Sequence, residues 1–293
     1  MRLIGESLNV ISRKIGRAFK ERDPLPIQEE AKKQKEQGMD FIDINLGPAR
    51  KGGPELMEWV VKTVQEVVDD VPLALDTSNI EAIEAGLAVC KVKPLINSIM
   101  CRPERYEKML PLCSKYNGAM IALLWGPHGM PRDENERGEL AVELVYAANA
   151  AGIPNEDIFV DGIVTPVNVQ QDQVYSLLQF MPMVGDIGEG LKSTCGLSNV
   201  SNGAPDHLRP ILNQTYMVML ERMGMYSCIA DAYDDQLVAI AKGQRPEIVE
   251  AIHKVMDEEE IDMSSLSKEL QDYVKTARIL LKKSLYSDSW LEL

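Results

Sequence analysis

Acidic and amide side chains recur at the ends of the short apolar runs of this chain. The residues at or just after these ends are Glu6, Asn9, Asp43, Asn45, Asp76, Asn97, Asp161, Ser198, Asn199, Asn202 and Asp231. A carboxylate can accept two parallel N–H bonds, and a carboxamide both donates and accepts. Such a set suits a flat heterocycle with several N–H donors and carbonyl acceptors, such as a 2-amino-4-oxo pyrimidine edge. A single member could merely cap the helix that follows, but seven runs that end in this way are hard to explain by capping alone.

The same positions lack the groups that several other chemistries need. His128, His207 and His253 are far apart in the sequence, so a zinc or iron cluster is poorly supported and no metal is predicted. Cys195 and Cys228 lie on neighbouring predicted strands and, without a third ligand, are expected to be packed core cysteines. The chain carries no nucleophile elbow, phosphate loop or Ser-His-Asp set, which disfavours acyl and phosphoryl transfer.

The apolar runs themselves predict eight buried parallel strands separated by helices. The predicted strands are Arg2–Ser7, Phe41–Leu46, Pro72–Thr77, Pro94–Ile99, Ala119–Trp125, Ile158–Ile163, Ser193–Ser198 and Cys228–Ala232. This alternation indicates an α/β fold of the (β/α)8 barrel type, in which the strand ends form the functional face. An open doubly wound sheet is the alternative, but it would usually carry a glycine-rich phosphate loop after its first strand, and residues 5–9 are not one.

Length and charge indicate how many domains the chain forms and which classes of protein it does not belong to. The 293 residues, 45% of them apolar, are expected to form a single barrel domain over 1–293. The formal charge of −14 argues against a nucleic-acid binder, which would need a basic face. No apolar run approaches the ~20 residues that span a bilayer, and the start of the chain lacks a signal-peptide pattern. With five scattered cysteines, the sequence predicts a cytoplasmic protein without membrane contact.

One segment interrupts the alternation. An insertion of roughly 243–267 is predicted between the eighth strand and the last helix. From Glu247 to Asp272 the chain carries nine acidic residues and two lysines, half of its net charge. We interpret it as a solvated acidic helix or a partly mobile excursion, with a docking surface for a partner as the alternative.

Five motifs occur in an order that is characteristic of one family. They are GESLN at 5–9, DINLGP at 43–48, LDTSN at 75–79 with INS at 96–98, VD at 160–161 and GLSNVS at 196–201. Together they closely resemble the pterin-binding methyltransferases that move a methyl group between tetrahydrofolate and a corrinoid. The best-known members are the methyltetrahydrofolate:corrinoid/iron–sulfur protein methyltransferases. The resemblance runs from residue 2 to about 240 and resumes at 277–290.

The resemblance implies a role for each matching residue. Asp76, Asn97 and Asp161 would clamp the pterin as hydrogen-bond partners, with both carboxylates ionised. Asn199 would lie next to N5 as the catalytic amide, and Gly196 and Ser198 would shape the base of the site. The remaining candidates are Glu6, Asn9, Asp43, Asn45, Asn202, Arg209 and Asp231. Tetrahydrofolate or 5-methyltetrahydrofolate would be the substrate, a separate corrinoid protein would carry the cobalamin, and the chain would form a homodimer.

The direction of transfer is a separate expectation. The acidic insertion and residues Leu8, Ile11 and Ser12 look more like the branch that serves demethylation of small methylated compounds, such as glycine betaine, which would form methyltetrahydrofolate. Transfer from 5-methyltetrahydrofolate to a corrinoid/iron–sulfur protein in the acetyl-CoA pathway is the alternative. A pterin enzyme like dihydropteroate synthase is another, although the Asn-x-Thr-Pro-Asp-Ser-Phe motif of those enzymes is absent. The last alternative is a non-catalytic subunit that binds folate.

Overall fold

The structure, a computed structural model, describes residues 1–292 and contains eight parallel strands surrounded by helices. The strands are β1 (Arg2–Asn9), β2 (Phe41–Asn45), β3 (Leu73–Asp76), β4 (Leu95–Met100), β5 (Ala119–Leu123), β6 (Ile158–Asp161), β7 (Lys192–Thr194) and β8 (Ser227–Ala230). The helices are α1 (Arg13–Glu21), α2 (Pro24–Glu36), α3 (Gly53–Gln65), α4 (Ile80–Leu87), α5 (Pro103–Lys115), α6 (Glu134–Ala150), α7 (Val167–Ile187), α8 (Arg209–Arg222), α9 (Asp235–Ala241), α10 (Pro246–Met256) and α11 (Lys268–Leu280).

The strands form a nearly closed barrel. Their spatial order is β7-β6-β5-β4-β3-β2-β1-β8, and every neighbouring pair in that order is parallel. The remaining seam, between β7 and β8, is closed just beyond β7 by a bridge between Gly196 and Ile229. There the Ile229 amide donates to the Cys195 carbonyl over 2.8 Å. The predicted (β/α)8 barrel is therefore confirmed.

The inner face of the barrel changes from apolar to polar along each strand. Its lower part is a buried cluster to which seven strands contribute: Ile4, Phe41, Ala74, Leu95, Ala119, Ile121, Phe159 and Ile229. Because side chains alternate between the two faces of a strand, the residue two positions further on points into the same interior. Phe41 is thus followed by Asp43, Leu95 by Asn97, and Phe159 by Asp161. The sequence therefore builds an apolar plug with a polar layer above it.

The helices pack on the outside of the barrel through a second, larger apolar cluster. At the start of α4 the Asn79 side chain accepts a hydrogen bond from the Ala82 amide. Helix α5 begins instead with Pro103, without a side-chain cap. The seventh strand is shorter than predicted, because residues Leu197–Ser201 form a 3-10 turn instead of continuing it. The fifth strand likewise ends at Leu123, before Trp125.

The acidic insertion contains a packed helix. Helix α10 buries Ile248, Ala251, Ile252 and Val255, and it lies against α8 and α11. Its acidic residues lie on the outer side and in the following loop, where Glu258 and Glu259 are exposed. The expectation of an acidic helix holds, while the apolar face shows that this helix adds to the core. No helix within residues 1–292 is both long and apolar enough to cross a membrane.

Candidate functional site

Hydrogen bonds between side chains of β2, β3 and β4 hold the polar layer above the barrel plug together. On β4, the Asn97 amide nitrogen donates to an Asp43 carboxylate oxygen on β2 over 3.0 Å. Asn45 on β2 likewise donates to Asp76 on β3, while its own oxygen accepts from the Gly47 amide. The register places Asn45 beside Asp76 and Asp76 beside Asn97. Four predicted site residues therefore form one connected group.

Burial raises the pKa values of the carboxyl groups in the polar layer. It raises the pKa of Asp161, at the end of β6, to about 6, although the hydrogen bond from the Ile163 amide and the positive charge of Arg137 both lower it. Burial also raises the pKa of Asp76 to about 7. The pKa of Asp43 is raised well above its usual range by burial and by the nearby Asp76 and Glu6. The expectation of two ionised carboxylates thus fits Asp161 at neutral pH better than Asp76, whose pKa is raised further.

A second group lies beside the β7–β8 seam. The Ser198 hydroxyl donates to a Glu6 carboxylate oxygen over 3.2 Å, and the neighbouring Asn199 side-chain oxygen accepts from the Asn202 amide over 3.0 Å. Arg209, at the first position of α8, donates to the side chains of Ser201 and Asn202. Burial raises the pKa of Glu6, with further repulsion from Asp231.

Three members of this second group, Glu6, Ser198 and Arg209, line an open cleft with a volume of about 570 Å³. The cleft is lined by Glu6, Ser198, Asp206, Arg209, Pro210, Asn213, Asp231, Tyr233, Asp234 and Asp235. Within the described part of the chain, the buried side-chain oxygen of Asn213 has no hydrogen-bond partner.

Two predicted residues serve local turns instead. The Asn9 side chain accepts from the Ile11 amide, and the exposed Asp231 accepts from the Tyr233 amide. Both keep a place at the strand-end face, and Asp231 still lines the cleft. Gly196 lies so close to Asn199 that an added Cβ would meet the Asn199 amide nitrogen at 2.9 Å. A side chain at position 196 would therefore displace the Asn199 amide.

Arg137 is a site residue that the sequence does not reveal. Its guanidinium is fully buried beneath the end of β6, although an arginine at the start of an amphipathic helix is typically solvated. The one sequence feature that points to its burial is its position in the first turn of α6, just before the apolar face of that helix. Within residues 1–292, no three His, Cys, Asp or Glu side chains are grouped in a way that could hold a metal ion.

Comparison with known proteins identifies the family. The model of the pterin binding enzymes matches residues 5–225, which is most of the chain and contains both groups described above. The chain belongs to the pterin binding enzyme family. Methylcorrinoid:tetrahydrofolate methyltransferase of Eubacterium limosum is 28% identical over 233 residues, covering 79% of this chain and 85% of that protein.

Methionine synthase of Mycobacterium leprae (strain TN) is 24% identical over 241 residues, which cover 78% of this chain and only 20% of that longer protein. Solved structures show the same fold. A dihydropteroate synthase of Xanthomonas albilineans with 4-aminobenzoic acid superposes with a TM-score of 0.64 at 18% identity, covering 84% of this chain and 93% of that one. A dihydropteroate synthase of Coxiella burnetii in complex with pteroic acid superposes with a TM-score of 0.63 at 15% identity, covering 83% of this chain and 93% of that one. The resemblance inferred from five short motifs is thereby confirmed.

Proposed function

We propose that this pterin binding enzyme is a methyltransferase that moves a methyl group between a corrinoid and N5 of tetrahydrofolate. The observation that carries the proposal is the polar layer above the apolar plug, in which Asn45 bonds to Asp76 and Asn97 bonds to Asp43, with the buried Asp161 at the end of β6. The 28% identity to a methylcorrinoid:tetrahydrofolate methyltransferase over most of both chains supports the choice of reaction.

The pterin would be held by hydrogen bonds to the polar layer. Ionised Asp161 would accept N–H bonds from the amino-oxo edge of the ring, and Asn97 and Asp76 would bond to the opposite edge. Both faces of the ring would be shielded by the surrounding strand ends. The cleft beside Arg209 and Asn213 is continuous with Ser198 and offers room for the rest of the folate.

Asn199 would act at the reacting nitrogen. Toward folate, the N5 lone pair forms the new N–CH₃ bond while the Co–CH₃ bond breaks. Both electrons of that bond remain on cobalt, and N5 gives up its proton. In reverse, N5 leaves as a poor leaving group and needs a hydrogen bond or a proton. An amide serves both directions because it donates and accepts. The hydrogen bond from Asn202 orients this amide, and the missing side chain of Gly196 leaves room for it.

We propose Gly196 and Ser198 as the base of the pterin site, with Glu6, Asn202 and Arg209 around N5. The corrinoid would arrive on a separate protein that covers the strand-end face, since a corrinoid is too large for the barrel interior. Formation of methyltetrahydrofolate in a demethylation pathway is the proposed direction, and the homodimer stays a prediction.

An absorption assay under strict exclusion of oxygen tests the proposal. Purified protein is mixed with methylcob(III)alamin and tetrahydrofolate, and the reverse mixture contains cob(I)alamin and 5-methyltetrahydrofolate. Loss of the methylcobalamin band with growth of cob(I)alamin is the expected result, and the faster mixture assigns the direction. A flat trace in both mixtures, repeated with a corrinoid protein, together with measurable folate binding would favour the non-catalytic folate-binding subunit.

The alternative of a dihydropteroate-synthase-like reaction finds less support in the cleft. Such an enzyme must hold a pyrophosphate, which needs several cations. The cleft offers Arg209 but also the acidic side chains of Glu6, Asp206, Asp231, Asp234 and Asp235. These charges would repel an anion. The experiment that separates the two is a test for condensation of a pterin pyrophosphate with 4-aminobenzoate, which we expect to be negative.

A further inference from the structure

Arg137 is a buried cation whose hydrogen-bonding groups connect three elements. Its Nε donates to the Gly162 carbonyl over 2.7 Å, directly after β6. Its two terminal nitrogens donate to Ser176 Oγ over 2.9 Å and to Gln173 Oε1 over 2.8 Å, both on α7. Because α6 carries Arg137 itself, these three bonds fix the end of β6 against both helices. Burying a guanidinium is costly, so a cation retained here points to a specific role.

The backbone that Arg137 holds is the turn that orients Asp161. Ile163 has a φ of +68°, a left-handed conformation that is strained for a β-branched residue. This conformation points the Ile163 amide at Asp161, where it donates to Oδ1 over 2.8 Å. Gly162 between them has no room for a side chain, because an added Cβ would meet Leu177 at 2.5 Å. The Arg137 bond to the Gly162 carbonyl therefore stabilises a strained turn.

The charge of Arg137 acts on the same carboxylate. The guanidinium is among the groups that lower the pKa of Asp161. Cys195 beyond β7 and Tyr216 on α8 also face this region, but burial raises the pKa of both well above the usual range, so both stay neutral. Glu134 and Asp133 lie near Arg137 at the start of α6. Arginine remains charged even when buried, and it supplies the positive charge next to Asp161.

We infer that Arg137 is a positioning residue for the pterin site, which holds the 161–163 turn in place and keeps the Asp161 carboxylate ionised at neutral pH. This inference rests on the proposed function, because it assumes that Asp161 accepts hydrogen bonds from the pterin. Arg137 itself lies beneath the turn and acts on the ligand only through Asp161.

The first readout is the titration of Asp161 in the ligand-free protein. The protein is labelled with ¹³Cγ-aspartate, and the Asp161 signal is assigned by its absence in Asp161→Asn. In Arg137→Gln the titration midpoint is expected to rise by about one unit, the lower end of what a lost neighbouring charge causes. Ser176→Ala is the matched control, because it removes one bond to Arg137 but leaves the charge in place, and its midpoint should stay unchanged.

The second readout is 5-methyltetrahydrofolate affinity measured near pH 8, where Asp161 is ionised in all variants. Arg137→Lys keeps the charge but cannot form the three bonds of the guanidinium fork. We expect it to weaken binding by about tenfold with little change in the Asp161 titration. This variant also decides the question if Arg137→Gln does not fold, because wild-type affinity in Arg137→Lys would overturn the positioning role.

The outcomes separate this inference from the proposed function. An unchanged Asp161 midpoint in folded Arg137→Gln overturns the electrostatic role, whatever the folate result. A shifted midpoint without folate binding in the wild-type protein would leave the Arg137–Asp161 coupling intact and refute the proposed function instead.

Discussion

The affinity for folate should fall as the pH is lowered, and the structure sets the size of the effect. Burial raises the pKa of Asp161 to about 6. The carboxyl is therefore about nine-tenths ionised near pH 7 and about one-tenth ionised near pH 5. If only the ionised form accepts the N–H bonds of the pterin, the dissociation constant increases about tenfold over this range, or about 1.4 kcal/mol.

Proton linkage determines the direction in which folate affinity changes with pH. Protonated Asp161 predominates in the free protein below its pKa, whereas the complex requires the carboxylate, so binding must release a proton. Asp76, with a pKa of about 7, would steepen the dependence if it also binds as a carboxylate. Binding is therefore expected to improve from pH 5 to pH 7 and to level off at higher pH.

Isothermal titration calorimetry with 5-methyltetrahydrofolate under anoxic conditions measures both the affinity and the released protons. Buffers of different ionisation enthalpy give the proton count at each pH. Asp161→Asn is the matched control, because it keeps the size of the side chain but cannot titrate, and it corrects for protonation of the folate itself. An affinity that is constant with pH, or a pH dependence that Asp161→Asn retains in full, would refute this reasoning.

Three further predictions concern catalysis, packing at the site and stability. Asn199→Ala should lower the rate of methyl transfer by about 100-fold, because a transition-state hydrogen bond is lost, and should change folate affinity much less. Equal losses in transfer rate and in folate affinity would contradict the catalytic role of Asn199. Gly196→Ala should displace the Asn199 amide, which would lie 2.9 Å from the added Cβ, and should therefore slow methyl transfer. Gly185→Ala, with open space around its Cβ, should not. Equal transfer rates in the two variants would contradict the role given to Gly196. Phe159→Ala should lower the free energy of unfolding, measured by urea titration, by about 3–5 kcal/mol, because Phe159 fills the barrel plug. Tyr146→Ala, at a side chain that is 77% exposed, should change the free energy of unfolding by less than about 0.5 kcal/mol.

The barrel and its polar layer were predictable because strand periodicity alone determines which side chains share the interior. Asp43 follows Phe41 by two residues and Asn97 follows Leu95 by two, so each carboxylate or amide points inward above an apolar neighbour. The family motifs cover the same positions. Pairing between Asp43 and Asn97, which lie 54 residues apart, follows once the strands are placed in a barrel.

Other features depend on contacts that no local pattern encodes. Strand β7 is shorter than its apolar run because the chain turns into a 3-10 helix at Leu197–Ser201. The raised pKa of Asp76 depends on how deeply its strand end is covered. Arg137 is buried by α7, a neighbour that follows it by 30 residues or more, so its sequence context shows only a charged residue near an apolar face.

Transfer of a labelled methyl group tests the central claim most directly. Methylcob(III)alamin carrying a ¹³C-methyl group is incubated without oxygen with tetrahydrofolate and the enzyme, and the product is examined by ¹³C NMR. We expect the label to leave cobalt and to appear on N5 of tetrahydrofolate, at a rate that Asn199→Ala lowers. If the enzyme binds folate but the label stays on cobalt, with free methylcobalamin and with a methylated corrinoid protein alike, the protein is not the methyltransferase proposed here.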